Sequence, residues 1–263
     1  MTPRWRSLLA VVKLGGSVIT EKTRPFTLRE SNIDLFADKV LQLYEEGVKL
    51  VVVHGGGSFG HPVAAKYSLT NGGFSRVKAY GFAETRYWMS YLNLKIIEKL
   101  LSKGVPAVSV QTSAVSQTRD GHLYRFDADV VGLFLERMLV PVLYGDAVVD
   151  VSRAVAILSG DDIASHLAQA LKADVLVYLM GSSGVYDRPP SRPGAKLLRE
   201  IRPGDPLSQI SESGIDVTGG LQHKLSCAFA AARSGIRVAI GGLTYFEEMV
   251  LGRDAPYTRV LPE

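Results

Sequence analysis

Leu50-Val51-Val52-Val53-His54-Gly55-Gly56-Gly57-Ser58-Phe59-Gly60-His61 carries both the architecture and the chemistry of this chain. Its first four residues are continuously apolar, as in a strand covered on both faces rather than one. Three glycines, a serine, a fourth glycine and a histidine follow. A loop that only connects two elements rarely holds so many glycines, because each costs entropy on folding. The same arrangement stands earlier, where residues 9–14 run into Gly15-Gly16-Ser17, with Lys13 just before the turn.

Further apolar runs fall at 107–110, 140–144, 175–179 and 238–240. Helical patterns lie between them. Asn32 is placed to cap a helix through Glu46, with Gly47 as its stop; others cover 79–103 (closed by Gly104), 128–138, 162–172 and 221–234 (closed by Gly235). Strand alternating with helix predicts an α/β fold, a three-layer αβα sandwich with a mainly parallel central sheet. The stretch 186–205, rich in Pro, Arg and Gly, reads as a hairpin or excursion. We expect a single domain over 1–263, with an acceptor-binding half of about 1–155 and a nucleotide-binding half of about 156–263.

The bulk properties agree. A chain of 263 residues, 46% hydrophobic, can bury a substantial core. A net charge of +4 with scattered Lys and Arg suits anionic small molecules. There is no basic run with interleaved aromatics, so no nucleic-acid partner is expected. Cys227, the only cysteine, lies in the apolar stretch 225–232 and reads as a buried core residue; one cysteine makes no disulfide framework or zinc set, and no metal ligand is assigned. The apolar run 8–12 stops at Lys13, too short for a secretory segment or a membrane span, so the expectation is a cytoplasmic protein with no membrane partner.

Ligands of such sheets bind beyond the carboxyl ends of the strands. There, Gly15, Gly16 and Ser17 let backbone N–H groups approach an anion, and Lys13 adds a compact positive charge. Gly55, Gly56, Gly57, Ser58 and Gly60 form a second cradle. It is not a Walker A loop, because no Gly-Lys-Ser/Thr follows at the required spacing. In Asp216-Val217-Thr218-Gly219-Gly220-Leu221-Gln222-His223-Lys224, Asp216 or Thr218 can cap a helix whose early turns carry Lys224 towards a polyphosphate. In Ser159-Gly160-Asp161-Asp162, a carboxylate can either sit between two lysines or cap a helix. Two cradles, two lysines and a carboxylate are the parts of a phosphoryl-transfer site, which works by positioning and charge neutralisation. A hydroxyl acceptor would call for a carboxylate near its proton. A phosphate acceptor, with a second pKa of about 6, is already anionic and needs a donor instead. His61 supplies one without a permanent charge.

At these residues the sequence resembles the amino acid kinase superfamily, most closely its isopentenyl phosphate kinases. The resemblance runs from Lys13-Leu14-Gly15-Gly16-Ser17 through HGGGSFGH (54–61), Tyr144-Gly145-Asp146, Ser159-Gly160-Asp161 and the 216–224 segment to Thr258-Arg259. It implies an open αβα sandwich, a homodimer, Mg2+ with ATP on the C-terminal side, and ATP-dependent phosphorylation of isopentenyl phosphate to isopentenyl diphosphate in an alternative mevalonate route. It implies that Lys13, Lys22 and Lys224 contact the transferring phosphates and that Asp161 orients lysines. Gly15, Gly16, Ser17, Gly57, Gly181 and Gly220 then face ATP. Gly55, Gly56, Ser58, Gly60, His61, Gly145, Asp146, Gly160 and Phe82 face the acceptor. The helix carrying Phe82, Tyr87, Trp88, Met89 and Leu92 is a candidate wall for an isoprenoid tail. One departure stands out: Gly181-Ser182-Ser183-Gly184-Val185-Tyr186 replaces a usual Thr-Asp-Val-Asp-Gly-Val-Tyr run, which alters base or ribose contacts. The competing readings are a fosfomycin-type phosphonate kinase and a non-catalytic nucleotide-binding subunit on the same scaffold.

Overall fold

The computed structural model describes residues 7–21, 23–205 and 220–263. In chain order it holds β1 (Leu9–Leu14), α1 (Gly16–Ile19), α2 (Glu30–Glu45), β2 (Lys49–His54), α3 (Gly57–Lys66), α4 (Arg76–Ser102) and β3 (Ala107–Ser109). Next come α5 (Thr112–Val115), β4 (Ser116–Arg119), β5 (His122–Phe126), α6 (Asp129–Glu136), β6 (Val140–Tyr144), β7 (Asp146–Asp150) and β8 (Ala154–Leu158). The remainder comprises α7 (Gly160–Ala170), β9 (Val175–Leu179), β10 (Glu200–Ile201), α8 (Gly220–Arg233), β11 (Arg237–Gly241), α9 (Phe246–Leu251) and β12 (Thr258–Val260).

Eight strands form the central sheet in the order β10-β12-β11-β9-β1-β2-β6-β3. It is parallel from β11 to β3, and β12 runs antiparallel to β11. The chain leaves β1 towards β2 on one side and returns to β9 on the other, so the strand order reverses at β1, where open α/β sheets bind ligands. Side chains alternate across the sheet. Ala10, Val12 and Leu14 join one core with Ile33, Phe36, Ile96 and Phe246 from α2, α4 and α9. Leu9 and Val11 join the other with Val131, Ile163, Leu167 and Ala228 from α6, α7 and α8. Lys13 shares the parity of Leu9 and Val11, which aims it at α7 and α8.

Several sequence expectations are corrected. A second sheet, β5-β4-β7-β8, is present, and its apolar strand β8 was not among the expected runs. The glycine-rich stretch is not all loop, since α3 begins at Gly57 and places His61 in its second turn. Pro62 inside that helix leaves the Ser58 carbonyl without its helical donor, and the Phe26 N–H takes it at 3.2 Å. Asn32 does not cap α2; it lies inside the helix and donates from Nδ2 to the Val18 carbonyl at 2.7 Å. Ser75, not expected as a cap, starts α4 by accepting from Lys78 N–H. Among the described residues no helix is long and apolar enough to cross a membrane.

Candidate active site

The first glycine turn is fastened to the sheet by Gly15 N–H, which donates to the Leu179 carbonyl of β9 at 3.0 Å. The second follows β2 and lies directly against it. A Cβ on Gly16 would overlap the backbone of Gly57, and one on Gly55 would come within 3.0 Å of Gly16 N and 3.6 Å of Lys13 Nζ. Any side chain here would force the two cradles apart. Thr20 pins them together from behind: its hydroxyl donates to the Gly16 carbonyl at 2.8 Å and accepts from Ser58 N–H at 3.0 Å. Sequence reasoning missed Thr20, and only its place one turn after Gly16 could have signalled it.

Asp161 lies under this junction, in the first turn of α7. Its Oδ1 accepts from Lys13 Nζ at 2.9 Å and from Lys224 Nζ at 2.8 Å. All three side chains are buried. Burial alone would raise the Asp161 carboxyl, but the two ammonium groups outweigh it and hold it well below the usual carboxylate range. Burial, with the like charge of Lys13 adding to it, pulls Lys224 down to about 8 against the attraction of Asp161. The cluster keeps one positive charge in excess, ready for an anion. The helix cap is Ser159, whose Oγ accepts from Asp161 N–H, so neither aspartate spends its carboxylate on capping.

The other expected residues sort by distance from this junction. Gly145 and Gly160 close its floor: a Cβ on Gly145 would lie 3.1 Å from Gly160 N, and one on Gly160 would lie 3.3 Å from Lys13 Cε. Gly181, after β9, opposes Ser17, with 3.9 Å between its Cβ position and Ser17 Oγ. Gly220 starts α8. The His61 ring packs on Gly56, where an added Cβ would stand 3.3 Å from Cδ2. Ser58 is turned away; it is buried, its N–H is held by Thr20, and its Oγ lies 3.5 Å from the Thr27 carbonyl. Gly60 serves packing, because a Cβ there would run into Met89 Sδ. Lys22, Asp216 and Thr218 lie outside the described residues.

The proposed tail wall on α4 does not hold as one surface. Tyr87 is exposed and Leu92 is sealed in the core. Trp88 packs at a tilt on Phe26, 4.1 Å between ring centroids, beside Phe59. The physical reason is helical spacing: 87 and 88 leave the stripe that 82 and 89 share. Phe82 packs with Ala64, Leu69, Ala147 and Val155 in a small separate cluster. Beside it Arg86, which sequence reasoning also missed, lies 5.7 Å from the Phe82 ring and 3.8 Å from Asp146 Oδ2. Asp146 is buried, and burial pushes its carboxyl up to about 6.

Behind the second cradle, His54 is fully buried and neutral. Its Nδ1 donates to the Gly55 carbonyl, its Nε2 accepts from Asn93 Nδ2, and Asn93 Oδ1 accepts from Ser109 Oγ. Burial holds its pKa down to about 4. In the altered segment, Ser182 Oγ donates to the Gly184 carbonyl within its own turn. Val185 N–H donates to Thr258 Oγ1, which donates in turn to the Leu198 carbonyl.

Two glycine turns meeting above two lysines and one carboxylate are suited to holding polyphosphate, and known proteins resemble this chain in sequence and fold. The sequence profile described as "Amino acid kinase family" matches residues 9–242. A curated isopentenyl phosphate kinase from Methanothermobacter thermautotrophicus is 33% identical over 96% of this chain and 98% of its own. One from Methanocaldococcus jannaschii is 37% identical over 83% of this chain and 85% of its own. A solved isopentenyl phosphate kinase superimposes with a TM-score of 0.83 at 30% identity, covering 96% of this chain and 99% of that one. The chain belongs to the amino acid kinase family, and within it stands with the isopentenyl phosphate kinases.

Proposed function

We propose that this chain transfers the γ-phosphoryl group of ATP to isopentenyl phosphate, giving isopentenyl diphosphate and ADP by direct in-line displacement. The observation that carries this reading is the abutment of the two glycine turns over the Lys13–Asp161–Lys224 cluster. One turn suits the donor phosphates and the other the acceptor phosphate, so the two oxygens that exchange the phosphoryl group face each other. The bond from the γ-phosphorus to its bridging oxygen breaks while an acceptor phosphate oxygen forms the new one. No base is required, because that oxygen is already anionic.

Lys13 and Lys224 neutralise charge on the transferred group, and Asp161 holds both in place at the moment of reaction. His61, in the second turn of α3 beside Gly56, donates to the acceptor phosphate. Gly15, Gly16, Ser17, Gly57, Gly181 and Gly220 line the nucleotide side, with Lys22 as a further phosphate contact. The nucleotide then reaches from the β1 and β2 turns at its phosphates into the half after about residue 156, and the acceptor lies in the half before it. Mg2+ would enter with ATP and be held by phosphate oxygens and water, a common mode for that ion. Asp161, the carboxylate at the cradles, is already taken by two ammonium groups.

We also propose a cytoplasmic homodimer. ATP as donor and a single unpaired thiol suit the cytoplasm. For the dimer, α4 presents Val77, Tyr80, Tyr87, Tyr91, Leu94 and Leu101 to solvent along one stripe. An acceptor panel with Mg-ATP, read as diphosphate product, tests the activity. Isopentenyl phosphate should be the preferred acceptor. Preferred turnover of fosfomycin, or ATP binding without transfer to any acceptor, would overturn the reading.

A further inference from the structure

Outside the phosphate machinery, a second cluster brings three different donor types together. Asp162, in the first turn of α7, meets His223 and Cys227 of α8. Asp162 Oδ2 lies 3.0 Å from His223 Nε2, Asp162 Oδ1 lies 3.5 Å from Cys227 Sγ, and Cys227 Sγ lies 3.8 Å from His223 Nε2. His223 and Cys227 are four residues apart on one helix and therefore share a face. Nothing in the phosphoryl transfer uses either side chain.

We propose that Asp162, His223 and Cys227 form a binding site for a borderline divalent cation of the Zn2+ or Co2+ class. Around a tetrahedral ion with bonds of about 2.0–2.3 Å, neighbouring donors stand roughly 3.3–3.6 Å apart. One donor atom from each side chain already lies within 4.8 Å of the other two, so a modest rotation of the Asp162 carboxylate and the His223 ring is enough to seat an ion. One oxygen, one imidazole and one thiolate select against Mg2+, which demands oxygen ligands, and favour zinc or cobalt. The floor at Cys227 is buried, whereas the Asp162 and His223 side chains are 33% and 34% exposed. The ion thus has an open side for water as fourth ligand.

Without an ion, burial and the carboxylates of Asp162 and Asp161 push the Cys227 thiol well up, so it stays protonated. A bound cation reverses that logic: the thiol proton leaves to solvent and the thiolate becomes a ligand. The His223 proton that pairs with Asp162 leaves the ligating nitrogen in the same way. The ion would tie α7 to α8 one residue away from both Asp161 and Lys224. It is separate from the Mg2+ that accompanies ATP.

Cobalt titration of chelator-treated, full-length protein provides the test. One equivalent per chain should produce a thiolate-to-cobalt charge-transfer band, and because Cys227 is the only cysteine, the band reports that residue alone. Cys227→Ser should abolish the band, and Zn2+ should displace cobalt and raise the Tm. His223→Gln should weaken cobalt binding at least tenfold; its ring is partly exposed, so this variant remains decisive if Cys227→Ser does not fold. Absence of the band at saturating cobalt, or an unchanged midpoint in folded His223→Gln, would overturn the proposal.

Discussion

Asp161 and Asp146 are both buried, and each follows a glycine, Gly160 and Gly145, that lies against the other. Their surroundings are opposite. Asp161 holds two ammonium groups on one oxygen and is kept ionised. Asp146 accepts from Ala147 N–H through Oδ1, but its Oδ2 has no hydrogen-bond partner and Arg86 stops 3.8 Å short. Burial therefore dominates there, and the carboxyl rises to about 6. The contrast separates a charge that the fold has fully prepared from one that it leaves under-supported. The first matches a centre where charge must be neutralised without reorganisation. The second costs stability in the resting protein.

Asp161→Asn should have the largest effect. It leaves two lysines buried together, so turnover should fall by about a thousandfold or more and stability by about 3–5 kcal/mol. Mg-ATP should restore part of the Tm, since its phosphates replace the missing negative charge. Thermal unfolding with and without nucleotide checks this; equal losses in both would mean the lysines are not aimed at phosphate. Next in size, Lys224→Ala should lower kcat by about 100- to 1,000-fold, the range for one lost transition-state donor. Steady-state kinetics beside nucleotide titration would show whether kcat falls far more than ATP affinity.

His61→Ala should reduce kcat/KM for the acceptor by about 10- to 100-fold, the worth of a hydrogen bond to a charged group, with ATP affinity nearly unchanged. Parallel loss of both would remove His61 from the acceptor side. Since Lys224 sits at about 8, kcat/KM should fall about tenfold per pH unit above that value as its charge is lost. Lys224→Arg should move that limb to higher pH.

Asp146→Asn should have the smallest effect and the opposite sign. A carboxyl raised from 3.8 to about 6 on folding binds more protons folded than unfolded between those values. Stability therefore declines as pH rises through that window, by up to about 3 kcal/mol. The neutral variant should be more stable than wild type at pH 7 by about 1 kcal/mol or more, with the gain gone by pH 4. Denaturant unfolding at both pH values decides it.

Much of this was legible in sequence because fully buried parallel strands leave continuous apolar runs. Residues 9–14, 140–144 and 175–179 were bounded as found. The second sheet was not legible as a whole, because β4 at its middle is Ser-Gln-Thr-Arg and leaves no apolar run, although β8 does. Helix α3 was hidden by glycines and Pro62, whose poor helix propensity is overridden by packing against Met89 on α4. The charge cluster could be guessed, since two lysines at one site call for a carboxylate. The grouping of Asp162 with His223 and Cys227 could not, because 61 and 65 residues of chain separate the partners. Thr20 offers only its place one turn after Gly16 until the two turns are seen to touch.

At the heart of the proposed function, the abutting glycine turns pass phosphate from ATP to isopentenyl phosphate. Phosphorus NMR of the wild-type protein with Mg-ATP and isopentenyl phosphate at pH 7 tests it most directly. The acceptor monophosphate signal should be replaced by a diphosphate pair while ADP forms in equal amount. ATP consumed without diphosphate, or no change in either signal, would contradict it.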